Sequence, residues 1–169
     1  MGRRIGPGTT SGLPREARVT SEPQAQPRAA DVAADNPAGV PQAQIYPAST
    51  QAKPWGRELI FAVVPGKYVG KVIQVNAGHS LSLQYHREKE ETISMVTGEA
   101  LVRYGPAADQ LTDATFGPGD TIHLPPGVLH RITAITDVAF VESSTAYPGW
   151  REDVVRLEDS YGRTGTSAP

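Results

Sequence analysis

Short apolar runs recur along the second two-thirds of this chain, and each is rich in β-branched and aromatic residues. They lie at 58–64, 69–75, 81–84, 92–96, 100–104, 121–124, 129–132 and 138–141. Glycine, proline and asparagine separate the runs, for example at 117–119 and 125–127, and these residues favour turns. Strands this short at nearly regular spacing, without a helical period, predict an all-β sandwich or barrel.

The first fifty residues have a different pattern. They contain a single aromatic residue, Tyr46, and proline recurs among alanine, glycine, glutamine and threonine. Such a segment buries too little apolar surface to offset the backbone entropy lost on folding, about 1–2 kcal/mol per residue. We therefore predict a disordered arm over residues 1–50, a single domain over 51–163, and a frayed tail over 164–169.

Charge and composition exclude several classes of partner. The formal net charge of −2 gives no cationic surface for nucleic acid. No apolar stretch approaches the roughly 20 residues of a membrane span, and none follows Arg3 and Arg4 as a secretory signal requires. The chain has no cysteine, so any metal must be bound through nitrogen and oxygen. We expect a cytoplasmic protein that binds a small molecule, and neither nucleic acid nor a membrane.

Two of the four histidines fall in a pattern that suits metal binding. Gln84 and His86 are two residues apart on a predicted strand, so their side chains leave the same face. Glu91 follows a charged turn, and His130 follows the rigid turn at 125–127. Two imidazoles, a carboxylate and an amide oxygen would bind a divalent transition metal, with positions left open for substrate. Zn²⁺ is the favoured ion, and Mn, Fe, Ni and Co are the alternatives.

The spacing of these residues is more specific than their types. The first set is Gly78, Gln84, His86, Glu91 and Gly98, and the second is Gly119, Pro125, Gly127 and His130. This spacing resembles the two signatures of the cupin superfamily, with glutamine in place of the first histidine. The resemblance implies a single-domain double-stranded β-helix, or jelly-roll barrel, with the metal inside it.

A narrower resemblance covers residues 53–163. The sequences KPWG at 53–56, SLQYH at 82–86, HR at 130–131 and VRLEDSYGR at 155–163 are similar to the C-terminal cupin domain of type II phosphomannose isomerases, and to stand-alone mannose-6-phosphate isomerase-like cupins. The resemblance implies that the metal ligands are Gln84, His86, Glu91 and His130. It also implies a catalytic role for Arg163, which closes the Tyr-Gly-Arg motif.

The first motif departs from the usual family pattern. Glu88 stands in place of its third histidine, Lys89 in place of its arginine, and Thr92-Ile93 in place of His-Trp. The four ligand positions are retained, so the metal site is expected, whereas mannose 6-phosphate is not carried over as the substrate.

Three further residues are candidates for catalysis. Lys71 shares strand parity with Ile73 and Val75 on an apolar face expected to be inward, so its side chain either extends to solvent or lines the pocket. Lys71 or Glu88 would move a proton between substrate carbons, and Arg163 would close over an anionic substrate. We favour an enzyme, a metal-dependent aldose–ketose isomerase acting on a sugar or sugar phosphate.

Two other functions stay open. His86, Glu91 and His130 alone make the two-histidine, one-carboxylate triad of non-haem Fe(II) oxygenases. A sugar-binding cupin without catalysis is the remaining alternative. By analogy with other cupins we expect a homodimer. His79 and His123 are expected to have structural roles.

Overall fold

The computed structural model describes residues 41–166 of the chain, and eleven β-strands lie within them. The strands are β1 (Ser49–Lys53), β2 (Gly56–Val64), β3 (Tyr68–Val75), β4 (Leu83–His86), β5 (Glu91–Thr97), β6 (Ala100–Gly105), β7 (Thr112–Phe116), β8 (Thr121–Leu124), β9 (Leu129–Ala134), β10 (Val138–Thr145) and β11 (Val154–Glu158). No α-helix occurs between residues 41 and 166.

The strands form two antiparallel sheets. One has the order β1-β2-β3-β10-β5-β8 and the other the order β11-β4-β9-β6-β7. Strands distant in sequence are neighbours, as where β10 pairs with both β3 and β5. Such double-sheet pairing is the jelly-roll arrangement, and it confirms the predicted all-β class.

The apolar runs correspond to eight of the eleven strands, and the three others were not predicted. These are β1, β7 and β11, and each lies at the edge of a sheet. An edge strand pairs on one side only and is largely solvated here, so its sequence carries few buried apolar positions. The hydrophobic pattern therefore does not reveal these strands.

The compact unit begins near the predicted boundary of the arm. It begins at residue 45, and β1 spans the predicted boundary at residue 51. Residues 41–50 are exposed, while residues 1–40 of the predicted arm lie outside the described residues. Of the predicted tail, 164–166 form a turn and 167–169 lie outside the described residues.

The inward-facing side chains change character along the strands. Most of the interior is apolar, and Phe140, Val102 and Ile132 are among its most deeply buried members. Four strands carry both an apolar and an ionisable buried residue at a spacing of two. These pairs are Ile73 and Lys71 on β3, Ile93 and Glu91 on β5, Ile132 and His130 on β9, and Phe140 and Glu142 on β10. One end of the barrel interior is therefore apolar, and the other end is charged.

Candidate metal centre

The predicted ligands come from three strands that meet at the charged end of the barrel. Gln84 and His86 lie on β4, Glu91 is the first residue of β5, and His130 is the second residue of β9. Gln84 and His130 are directly opposite each other in the β4–β9 pair. The fold thus brings together the four side chains that the spacing predicted.

Three of these side chains converge on one point. One ligand atom from each of His86, Glu91 and His130 lies within 4.8 Å of the others, and all three residues are buried. His130 Nε2 is 3.0 Å from Glu91 Oε1, and His86 Nε2 is 3.7 Å from Glu91 Oε2. A divalent ion is bound in proteins by atoms that approach one another in this way.

The donor chemistry of the two histidines fits such an ion. His130 Nδ1 lies 3.0 Å from the carbonyl oxygen of Val128, and a carbonyl only accepts, so Nδ1 carries the proton. The lone pair of His130 Nε2 then faces Glu91, as in histidines that bind metals. Burial, together with the neighbouring Lys89 ammonium, lowers the pKa of His86 to about 4. His86 is therefore a neutral donor at pH 7, and these residues fit a divalent transition metal.

Gln84 is adjacent to this point with its amide nitrogen nearest. Its Nε2 lies 3.5 Å from His130 Nε2, and its Oε1 accepts a hydrogen bond of 2.6 Å from the Ser82 hydroxyl. Coordination through the amide oxygen would require the amide to rotate. Gln84 as fourth ligand thus stays a prediction.

The loop between His86 and Glu91 is held by one carboxylate. The backbone N–H groups of residues 87, 88 and 89 donate to the Asp153 side chain, at 3.2, 3.1 and 2.9 Å. Although burial alone raises the pKa of Asp153, these donors lower it below its ordinary value. Asp153 also lies 3.8 Å from His86 Nδ1, a buried atom with no hydrogen-bond partner among the described residues. These hydrogen bonds fix the path of the chain between two candidate ligands, His86 and Glu91.

A lysine that was not predicted as a site residue enters the same centre. Lys89 is 4% exposed, and its Nζ lies 2.6 Å from Glu91 Oε2 and 3.5 Å from His86 Nε2. Burial alone raises the pKa of Glu91, but the Lys89 ammonium lowers it well below its ordinary value. Glu91 is therefore ionised and available as a ligand.

Carboxylates and ammonium groups alternate from this centre toward the mouth of the barrel. Glu142 Oε1 is 2.8 Å from Lys89 Nζ and 3.3 Å from Lys71 Nζ. Glu58 is 3.3 Å from Lys71 and 3.6 Å from Lys53. Burial alone raises the pKa of Glu142, but Lys71 and Lys89 lower it. The alternation compensates most of the buried charge.

A cavity of about 300 Å³ opens beside the centre. His86 and Gln84 form part of its wall, with Trp55 and Trp150 among the aromatic side chains. Its cationic side chains are Lys53, Lys71, Lys89, Arg151, Arg156 and Arg163, and its carboxylates are Glu58, Glu142 and Glu152. A charged cavity of this kind suits a polar small molecule.

The three predicted catalytic residues occupy different environments. Lys71 lines the cavity and is buried, which is one of the two positions that its strand parity left open. Arg163 also lines the cavity, and its guanidinium is held by Asp159, with Nη2 at 2.8 Å from Oδ1. Glu88 is exposed on the clamped loop and does not line the cavity. The fold therefore brings Lys71 and Arg163, but not Glu88, to the cavity wall.

The other two histidines have hydrogen-bonding roles outside the centre. His79 Nδ1 lies 3.0 Å from the Tyr161 hydroxyl, and His123 Nδ1 lies 2.9 Å from Thr92 Oγ1. These contacts agree with the structural roles expected for both.

Sequence reasoning overlooked the charged residues that surround the candidate ligands or pair with Lys71. They are Glu58, Lys89, Glu142 and Asp153. Glu142 shares strand parity with buried Phe140, so its period of two was a usable signal. Lys89 and Asp153 lie in loops, where side-chain direction has no period and no such signal exists.

Comparison with known proteins agrees with the fold. The family described as "Mannose-6-phosphate isomerase C-terminal" matches residues 42–159. The xanthan biosynthesis protein XanB of Xanthomonas campestris pv. campestris is 36% identical over 97 residues, which are 56% of this chain and 20% of XanB. The chain thus spans about a fifth of the length of that relative.

Two solved structures share the fold. The capsular polysaccharide assembling protein CapF of Staphylococcus aureus matches 68% of this chain and 35% of its own, with a TM-score of 0.58 and 19% identity. Oxalate decarboxylase of Bacillus subtilis matches 65% of this chain and 30% of its own, with a TM-score of 0.58 and 17% identity. Both are cupins, which confirms the predicted cupin barrel.

The described residues, 41–166, include no helix of the length and apolarity that crossing a membrane requires.

The family match extends over most of the chain and includes all four predicted ligands. The chain therefore belongs to the mannose-6-phosphate isomerase C-terminal family, a family of cupins.

Proposed function

We propose that this protein is a divalent-metal-dependent aldose–ketose isomerase, mannose-6-phosphate isomerase-like, that acts on a sugar or a sugar phosphate. The observation that carries the proposal is the convergence of His86, Glu91 and His130 beside a charged cavity, in a chain of this family. A cavity of about 300 Å³ is at the lower end of the range for small-molecule sites and is suited to a single sugar.

In this proposal His86, Glu91 and His130 hold the ion, with Gln84 as the fourth ligand once its amide oxygen turns inward. Zn²⁺ is the favoured ion, since imidazole and carboxylate suit it, and Mn, Fe, Ni and Co are alternatives. When bound, the ion supplies Lewis-acid polarisation of the carbonyl and hydroxyl oxygens of the substrate.

The proton transfer is assigned to three side chains in the cavity wall, those of Lys71, Glu58 and Glu142, which we call the Lys71 group. Lys71 Nζ lies 3.3 Å from both Glu58 Oε1 and Glu142 Oε1, so a donor and two acceptors face the same space. A carboxylate of this group removes the proton from the carbon beside the carbonyl and returns it to the neighbouring carbon. Lys71 donates a proton to the carbonyl oxygen and recovers one from the hydroxyl that becomes the new carbonyl.

Arginines at the cavity wall would hold an anionic part of the substrate. Arg163 is fixed by Asp159 and lies 5.6 Å from the Tyr161 ring, so its guanidinium is positioned before a substrate arrives. Arg156 lies on β11 directly opposite Gln84 and lines the same cavity. Guanidinium groups bind carboxylates and phosphates through paired hydrogen bonds. A phosphate at this end would orient the sugar toward the metal centre.

The test is interconversion of aldose–ketose pairs, phosphorylated and unphosphorylated, by protein loaded separately with Zn²⁺, Mn²⁺, Fe²⁺, Ni²⁺ or Co²⁺. We expect turnover of at least one pair. His130→Gln should abolish it, and the matched control His123→Gln should not, because His123 is an exposed residue outside the centre. Absence of turnover across the panel with every metal would refute the isomerase.

A second candidate is Fe(II)-dependent oxygenation. One observation favours it. Gln84 Oε1 accepts a hydrogen bond from the Ser82 hydroxyl, so the converging candidate ligands are two histidines and one carboxylate. That set is typical of non-haem iron oxygenases. Oxygen uptake that requires both Fe(II) and an added substrate, and that ceases in His130→Gln, would select this function over isomerisation.

A homodimer and a cytoplasmic location are proposed on analogy and on composition. Sedimentation of purified protein at several concentrations tests the first. Fractionation of cells that produce the protein tests the second.

A further inference from the structure

Lys89 makes contacts that belong to the proposed metal site. Its ammonium lies 2.6 Å from Glu91 Oε2, 2.8 Å from Glu142 Oε1 and 3.5 Å from His86 Nε2. Two of these three atoms, on Glu91 and His86, are the ones that would also bind the ion. The ammonium is therefore directed at the same lone pairs as the metal.

Hydrogen bonds of the loop backbone restrict the direction of the Lys89 side chain. The N–H of Lys89 donates to Asp153 at 2.9 Å, and the two preceding N–H groups donate to the same carboxylate. The side chain is 4% exposed, so its charge is compensated by protein groups rather than by water. Glu142 offers it a partner that is not a candidate ligand.

A dication and an ammonium cannot share the same donors, since like charges repel strongly in a buried site. We propose that Lys89 is a built-in competitor of the metal: it neutralises Glu91 in the metal-free protein, and metal binding displaces its ammonium onto Glu142. The ion is consequently held more weakly, and exchanges more readily, than the same ligands would hold it without the lysine. This inference rests on the metal site of the proposed function and not on the reaction.

The test measures the dissociation constant for Co²⁺ and for Zn²⁺ by competition with a chromophoric chelator, on the full chain and without substrate. Lys89→Met keeps a long unbranched side chain and removes its charge. We expect it to tighten binding by about tenfold or more, because one buried positive charge is removed from the ligand shell. The cobalt spectrum reports independently whether nitrogen ligands are retained.

Lys71→Met is the matched control. Lys71 is a buried lysine of the same cavity and also pairs with Glu142, but its ion pairs are with Glu58 and Glu142 and not with a candidate ligand. Its affinity change should be less than about threefold, because its charge is farther from the centre. Should Lys89→Met fail to fold by circular dichroism, Lys89→Gln takes its place, with the same expected direction.

Equal or weaker metal binding in a folded Lys89 variant would overturn the inference, as would tightening of the same size in Lys71→Met. Absence of metal binding in every variant would overturn it as well. The readout needs no turnover, so failure of the isomerase assay alone leaves the inference intact. Metal affinity unchanged in His130→Ala would instead remove the proposed site and the inference together.

Discussion

The apolar half and the charged half of the barrel interior are built on the same strands but are stabilised in different ways. In the apolar half, Phe140 and Ile132 are removed from water, at roughly 25 cal/mol per Å² of buried surface. In the charged half, Glu142 and Lys89 lose their hydration, and pairing recovers only part of that cost. Residues retained at such a cost are candidates for function rather than for stability.

The largest expected effect lies in the apolar half. Phe140→Ala should lower the free energy of unfolding by about 3–5 kcal/mol, because Phe140 is fully buried and leaves a cavity. Urea unfolding measures this. The control Phe61→Ala deletes the same group from a side chain that is 44% exposed, and should cost about 1 kcal/mol. Equal costs at the two positions would contradict the assignment of the core.

In the charged half, the free energy of unfolding should depend on charge pairing rather than on side-chain volume. Glu142→Leu removes a carboxylate shared by Lys71 and Lys89, and should cost about 3 kcal/mol. Adding Lys89→Met removes one of the two ammonium groups and should return stability to within about 1 kcal/mol of the wild type. A double-mutant cycle by urea unfolding measures the coupling. If the costs of the two substitutions were additive, Glu142 and Lys89 would not be coupled, and charge pairing would not explain the stability of the charged half.

Acid should destabilise the metal-free protein through the charged half. The folded-state pKa of His86 is about 4, below its ordinary value of 6.5, so the unfolded chain binds a proton that the folded one does not. About 3 kcal/mol of stability is therefore present above pH 6.5 and lost as the pH falls to 4. Unfolding in chelator at several pH values measures it. His86→Gln should flatten the curve, whereas Ile132→Val should only shift it.

Metal should stabilise the charged half without affecting the apolar one. An ion at one hundred times its dissociation constant adds about 2.7 kcal/mol to the free energy of unfolding. His130→Gln should lose this increment. Ile132→Val lies two residues from His130 on the same face of β9. It should lower the free energy of unfolding by about 0.5–1.5 kcal/mol and keep the increment that metal adds. Thermal unfolding with and without Zn²⁺ separates the two variants.

The smallest effect is expected from the N-terminal segment. A chain that begins at Pro41 retains β1 and the whole compact unit, so its urea midpoint and metal affinity should match those of the full chain. A chain that begins at Pro54 lacks β1 and Lys53, which lines the cavity, and should be less stable. A loss of stability in the longer variant would show that residues 1–40 contribute to folding.

The charged half also shows how far sequence reasoning extends. Gln84, His86, Glu91 and His130 were found because a barrel motif fixes their spacing, and Lys71 was found from strand parity. Arg163 was found from the Tyr-Gly-Arg motif, but Glu58, Lys89, Glu142 and Asp153 belong to no motif. Lys89 enters through a loop, and the direction of a loop side chain depends on what holds the loop, here Asp153, which is more than sixty residues away in sequence.

The sequence by itself determined the all-β class, the eight strands with buried faces and the positions of the candidate metal ligands. Each of these follows from local periodicity or from fixed spacing along the chain. Only the tertiary structure decided which edge strands complete the sheets, that Glu88 faces solvent, and that Lys89 is directed at Glu91. Those outcomes depend on contacts between residues that are distant in sequence. A buried charged side chain is positioned by its oppositely charged partners, and the local sequence does not show which partners those are.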